Sequence, residues 1–402
     1  MEKKKGVKAA NDLIYTVLAT VIMQVVLQLI IYPLTTHFCG KGVTGNILYF
    51  IGIIYIVPQA LGTSLHNVRL MMRKEQEVTN YDFAPHIAVF AAVSAVVCGL
   101  IGFADNKDPV FSIAYALFSV VYLLRIYSAV EFRLTLKFKG YFLYFCAISA
   151  GYLIGFGLFL LTDIWLFIFA VGEVLAVAYI FIYGRLFKND GKTGSTGRIT
   201  KTVTMVLLST IVRDCVNQFD RVIIKQSISE DVVTQYNAVS LISKTIQMLV
   251  QPVSSLILTY LTVKDASITR KQLLKFTCVA LGCGAVFYCA SIVGTPIFVR
   301  LFYPSFYNEV MQYNLIVNLG LIVGFLSTMF MSILLSQGKT AIQMTIQSVW
   351  GAGYIVAAYY FVGQYQIWGL AYVTLVANML KLAASVSFIF YDKKVKTQGV
   401  IN

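Results

Sequence analysis

Residues 200–226 read TKTVTMVLLSTIVRDCVNQFDRVIIKQ. The stretch is long and apolar enough to cross a bilayer, whose hydrocarbon core takes about 20 helical residues. Yet its middle carries Arg213, Asp214, Asn217, Gln218, Asp220 and Arg221. A charge at the bilayer centre costs about 2.5–3.5 kcal/mol on insertion scales. On a helix, Arg213, Asn217 and Asp220 fall on one stripe, and Asp214, Gln218 and Arg221 on the next. So wide a polar face must look into protein or into a watery cavity. Either this helix lines the path of a transported substrate, or it is an internally paired staple in a bundle. Arg213 with Asp214 and Asp220 with Arg221 are sequence neighbours, expected to point apart without neutralising each other. That favours the first reading.

The rest of the chain supplies the setting. It has 402 residues, 58% hydrophobic and 12% charged, with mean hydropathy +0.76. Soluble domains carry about 25% charged residues, so an all-α polytopic membrane protein is expected. Continuous apolar runs exclude a closed barrel, whose strands alternate. The formal charge of +14 fits cytoplasmic loops of a membrane protein better than nucleic-acid binding. The seven cysteines form no CxxC pair and His37, His66 and His86 are scattered, so no metal or cofactor is expected. The N-terminal MEKKKGVK precedes a long apolar run without a convincing cleavage site, so no cleavable signal peptide is expected.

Twelve candidate spans follow, near 12–35, 44–66, 84–103, 110–130, 140–161, 164–186, 201–226, 233–262, 273–299, 312–336, 340–362 and 367–391. With a cytoplasmic N-terminus, the outward gaps hold few basic residues: Lys41, Lys107, Lys225 and Arg300. The inward gaps and both tails hold the others outside the spans, among them Lys3, Arg69, Arg73, Arg133, Lys137, Arg185, Lys188, Arg270 and Lys393. This asymmetry places both termini in the cytoplasm. The outward gaps are too short to carry an enzyme active site. KNDGKTGSTGR at 188–198 is the most hydrophilic internal linker. It divides the chain into a six-helix bundle at 1–187, a cytoplasmic linker at 188–199 and a second bundle at 200–402. Pro58-Gln59 and Gln251-Pro252 occupy matching second spans, where helices bend. Any repeat between halves of six spans would be parallel.

Beyond the seventh span, Arg125, Glu173, Lys244 and Lys381 also lie inside apolar segments. With Arg213, Asp214, Asp220 and Arg221 they make five cations against three anions. Eight charges in lipid would cost roughly 20–28 kcal/mol, beyond the usual 5–15 kcal/mol of net stability. They are therefore expected to converge on one hydrated, net positive interior that selects anions. Arg and Lys both suit phosphate. Arg125 and Lys381 lie near enough to span ends to snorkel instead. Glu173 is open to three roles: a neutral core carboxyl, a partner of one cation, or a proton carrier. Asn237, Gln247, Asn318 and Asn378 suit sugar hydroxyls, and equally suit helix-to-helix bonding. GYLIGFG at 151–157 reads as a helix-packing face.

Three stretches carry a family resemblance. They are NQFDRVIIKQSISEDVVTQYNAVSLISKTIQMLVQPVSSLI (217–257), TGNILYFIGIIYIVPQALGTSLHNVRLM (44–71) and YSAVEFRLTLKFKGYFLY (127–144). In the first, Asp220, Tyr236, Ala238 and Pro252 stand as in polysaccharide flippases. There an aspartate precedes an apolar triplet and a short external turn, followed by a tyrosine, an alanine and a later proline. The chain thus resembles the O-antigen (Wzx-type) flippases of the multidrug/oligosaccharidyl-lipid/polysaccharide exporter superfamily over most of its length. It departs where Thr234-Gln235 replaces a glycine before the tyrosine, which puts the local turn geometry in question. The resemblance implies two six-helix bundles in a V around a central cavity, as in the MATE-like fold. It implies a bacterial inner-membrane protein, not an enzyme, that moves an undecaprenyl-diphosphate-linked oligosaccharide to the outer leaflet by alternating access. A polysaccharide polymerase and a chain-length regulator would be partners, besides membrane lipids. On this reading Arg125, Arg213, Arg221, Lys244, Lys381 and Asn217 hold the diphosphate or acidic sugars. Asp214, Asp220 or Glu173 exchanges the coupling proton or cation. Three rivals differ in what they need. A small-cation antiporter needs an acidic cavity. A membrane polymerase needs a large external loop. A scaffold for the glycan machinery needs no buried charge.

Overall fold

The computed structural model describes the backbone of residues 2–72, 78–184, 196–263, 270–336 and 340–390, with side chains over 14–72, 78–184, 197–248, 274–334 and 342–389. All regular structure among the described residues is helical. The helices are α1 (Glu2–Val25), α2 (Tyr32–Ile54), α3 (Val57–Met71), α4 (Asn80–Asn106), α5 (Pro109–Ser128), α6 (Val130–Thr135), α7 (Phe138–Thr162), α8 (Leu166–Tyr183), α9 (Thr196–Ser227), α10 (Glu230–Val263), α11 (Arg270–Phe302), α12 (Tyr307–Met311), α13 (Asn314–Ser336) and α14 (Thr340–Phe390). The linker at 188–195 and most of the basic tail and loop residues lie outside the described residues.

Among the described residues, eight helical stretches are long and apolar enough to cross a membrane, so the chain is a multi-pass membrane protein. Two of the eight are overlong, at 58 residues (Ile14–Met71) and 48 residues (Ile342–Ile389). At 1.5 Å per residue each is longer than twice the ~30 Å hydrocarbon core. Both contain a break: Gly40 has φ 86° in the first and Gln366 has φ 52°, ψ −132° in the second. A continuous helix cannot pass through a left-handed residue. The stretch 200–226 is helical, within the 32-residue α9, but its charges keep it out of the eight. At Pro58 the chain breaks between α2 and α3, as a proline in the first turn allows. At Pro252 α10 runs on as helix.

The exposed faces match an apolar solvent. On α4, Val89, Val93, Val96, Leu100 and Phe103 form one exposed stripe at helical spacing, and on α11 Val286, Val293, Ile297 and Leu301 do the same. Polar side chains also close helix ends. Thr79 and Asp82 close a reciprocal capping box at the start of α4. Asp163 ends α7 with φ 58°.

The chain forms two compact units. The first holds Met1–Thr35 and Ile47–Gln218, the second Thr36–Asn46 and Phe219–Asn402. In the first unit α7 packs on α8 and α1, and α5 on α3, α4 and α8. The α7–α8 contact is made at glycines, as 151–157 predicts. A Cβ on Gly151 would stand 2.4 Å from the Gly172 Cα, and one on Gly155 would stand 2.0 Å from the Phe167 carbonyl oxygen. At Gly157 nothing lies within 4 Å. Gly155→Ala is therefore expected to cost about 1–3 kcal/mol by overpacking. Gly157→Ala should be neutral or slightly stabilising. Thermal unfolding in detergent checks both.

In the second unit α13 packs on α10, α11 and α14. Residues 36–46 are tied to it by polar contacts. Lys41 Nζ lies 3.1 Å from Glu309 Oε2, Thr234 Oγ1 donates to the Lys41 carbonyl at 2.7 Å, and Lys225 Nζ donates to Asn46 Oδ1 at 2.7 Å. Gln235 also donates to Glu309. Thr234 and Gln235 thus lie inside the first turns of α10 and need no glycine. The turn before the tyrosine is short, being only the residues between Ser227 and Glu230.

Candidate functional site

Among the described residues, Glu173, Asp214 and Asp220 are each paired locally with one cation, where the sequence predicts a single shared set. In the first unit Arg125 on α5 is 4% exposed and Glu173 on α8 is 0% exposed. Arg125 Nε donates to Glu173 Oε2 at 2.6 Å and Nη2 to Oε1 at 3.3 Å, a bidentate fork. Arg125 therefore does not snorkel. Three tyrosines complete the pair: Tyr152 donates to Glu173, Tyr144 donates to the Arg125 carbonyl at 3.0 Å, and the guanidinium lies 4.6 Å from the Tyr122 ring centre. Tyr122 in turn donates to Gln59 at 2.7 Å. Only Tyr122, one turn before Arg125, carries any sequence signal for this cluster.

Arg213 and Asp214 correct the expectation that neighbours point apart. Arg213 Nε donates to Asp214 Oδ1 at 3.0 Å. The long Arg side chain curls back where a short one cannot. Asp214 is buried, while the Arg213 side chain is 51% exposed. Arg213 and Asn217, one turn apart, share that exposed side of α9, and Asp220 lies buried away from them. The predicted Arg213–Asn217–Asp220 stripe is thus split at its third member.

Past Gln218, α9 belongs to the second unit. There Asp220 accepts from Lys244 Nζ of α10 and, at 2.9 Å, from the backbone N–H of Arg221. Lys244 also lies 5.4 Å from the Tyr236 ring centre. Arg221 is 6% exposed. Its Nη2 donates to Asn237 Oδ1 at 3.2 Å, and its Nε and Nη1 have no hydrogen-bond partner among the described residues. Lys381 of α14 is also 6% exposed. Its Nζ sits 4.0 Å over the ring of Trp350.

The three carboxylates Glu173, Asp214 and Asp220 thus each carry one cation. Among the described residues, Arg221 and Lys381 are left without a carboxylate. A buried cation with unfilled donors is costly unless an anion completes it. Most of the amides are spent elsewhere. Asn318 accepts from Ser243 and donates to Asn314, Asn378 donates to the Gly320 carbonyl at 3.0 Å, and Asn237 serves Arg221. Asn314 and the tyrosines around Arg125 are members of these networks that sequence reading does not single out.

Comparison with solved structures places the fold. A multidrug resistance MATE family transporter of the MOP superfamily, inward-facing, superposes with TM-score 0.69 at 13% identity, covering 96% of each chain. This is a MATE-type transporter fold. The lipid II flippase MurJ in an inward closed conformation gives TM-score 0.74 at 12% identity, over 94% of this chain and 87% of that one. An outward-facing MATE transporter gives 0.59 at 12% identity, over 96% and 97%. No family model matches the sequence. No curated protein matches it either.

Proposed function

We propose that the chain is a flippase that carries an undecaprenyl-diphosphate-linked oligosaccharide repeat unit, of O-antigen or another surface polysaccharide, across the bacterial cytoplasmic membrane. The observation that carries this reading is the pair of buried cations, Arg221 and Lys381, with no carboxylate among the described residues. A diphosphate supplies the missing negative charge, and an Arg fork with a Lys point charge suits it. The MurJ-like fold supports a lipid-linked substrate. On this proposal Lys244, Arg213 and Asn217 are further anion-side candidates, and Asp220 and Asp214 candidates for ion coupling. Asp220 is the best placed, since it and an anionic substrate would compete for Lys244. Arg125 and Glu173 already satisfy one another and are assigned to holding α5 on α8. Twelve spans, in halves at 1–187 and 200–402 joined by 188–199, with both termini cytoplasmic, complete the proposal. The breaks at Gly40 and Gln366 and the charged helices α9 and α10 support that count.

Deletion of the gene is expected to abolish surface glycan and accumulate lipid-linked repeat units on the cytoplasmic side. Accumulation of single units already on the outer face would favour a polymerase instead. The MATE neighbours keep a small-cation antiporter in view. Drug sensitivity on deletion with normal surface glycan would select it.

A further inference from the structure

The two arms of α14, folded at Gln366, flank an open cleft of about 940 Å³ within the second unit. That is the upper end of the ~300–1,000 Å³ typical of ligand sites. Its walls run from Thr345 to Phe361 on one arm and from Trp368 to Ala384 on the other. At 1.5 Å per residue this is a slot of roughly 24 Å. Val349, Ala357, Val376 and Leu380 are among its apolar walls, and Tyr365 and Trp368 line the end at the bend. Lys381, buried and without a carboxylate among the described residues, stands toward the opposite end, with its Nζ over Trp350. The Trp350 Nε1–H is itself buried without an acceptor among the described residues. One cation and one unused donor thus sit together in a long apolar slot.

We infer that this cleft binds a single-chain lipid phosphate from the bilayer, with its chain along the slot and its phosphate on Lys381 and Trp350 Nε1. A neutral lipid would leave both polar groups unfilled, and a free phosphate would leave the slot empty. The inference deepens the transport reading and rests on it only for the route of the lipid; the ligand class comes from the lining itself.

Two of the chain's three tryptophans, Trp350 and Trp368, line the cleft, and Trp165 lies outside it as an internal reference. Quenching by a brominated alkyl phosphate is measured on the full chain in phosphatidylcholine nanodiscs. Saturable quenching is expected, with the matching brominated alcohol at least tenfold weaker and inorganic phosphate not competing. Lys381→Gln should weaken binding at least tenfold and Lys381→Arg should retain it. Gly353→Phe should abolish it by filling the slot, since nothing stands within 4 Å of a Cβ there. Equal quenching by the alcohol, displacement by inorganic phosphate, or unchanged binding in Gly353→Phe would overturn the assignment. Binding without glycan transport would overturn the transport reading alone. Transport without binding would overturn the cleft alone.

Discussion

Glu173→Ala is expected to lower stability by about 3–5 kcal/mol, the usual cost of leaving one half of a buried ion pair uncompensated. Glu173 is wholly buried, takes both arms of the Arg125 fork, and also accepts from Tyr152. Its removal strands a guanidinium and a phenol at once. The double variant Arg125→Met, Glu173→Leu removes both charges and should recover most of the loss, because the desolvation cost of the ions goes with them. Thermal unfolding in detergent of the two single variants and the double gives the coupling energy directly. If the pair only joins α5 to α8, the double variant also retains surface glycan. A stable double variant that transports nothing would instead make Glu173 a working member of the ion cycle.

Arg221→Met should show the opposite combination: a gain in thermal stability with a loss of transport. Arg221 is buried with two donors unfilled, so in the unliganded protein it is a cost to be relieved. With substrate bound, the same charge is worth the 2–5 kcal/mol typical of a desolvated charge pair. At 1.4 kcal/mol per decade the upper part of that range is a loss of ~10²-fold or more in transport at low substrate. Arg221→Lys should keep part of the activity, having charge but no fork. Purified protein gives the unfolding midpoint, and surface glycan or reconstituted flipping gives the transport. A variant both less stable and fully active would remove Arg221 from the substrate path.

Stability gained where function is lost is common at sites that hold a ligand's charge. It also separates the two kinds of buried charge in this chain. The Arg125–Glu173 pair is complete in the unliganded protein, and breaking it hurts the fold. Arg221 and Lys381 are incomplete, and removing either should hurt only what binds there.

Much of this was legible in one dimension. Apolar runs near 20 residues mean membrane helices, and charges inside them mean an interior that hydrocarbon does not reach. Counting five cations against three carboxylates already leaves two cations over. What the chain order does not contain is which two. Arg125 meets Glu173 across 48 positions and Lys244 meets Asp220 across 24. Those meetings depend on how each helix is rotated against its neighbour, down to the glycine contacts that let α7 lie against α8. A rotation of one helix by a residue, about 100°, would pair different groups. The slot within α14 is likewise a product of folding, since it exists only because the chain turns back at Gln366. Local physics set the helices and the sum of their charge; packing chose the partners, and so chose which cations were left for a ligand.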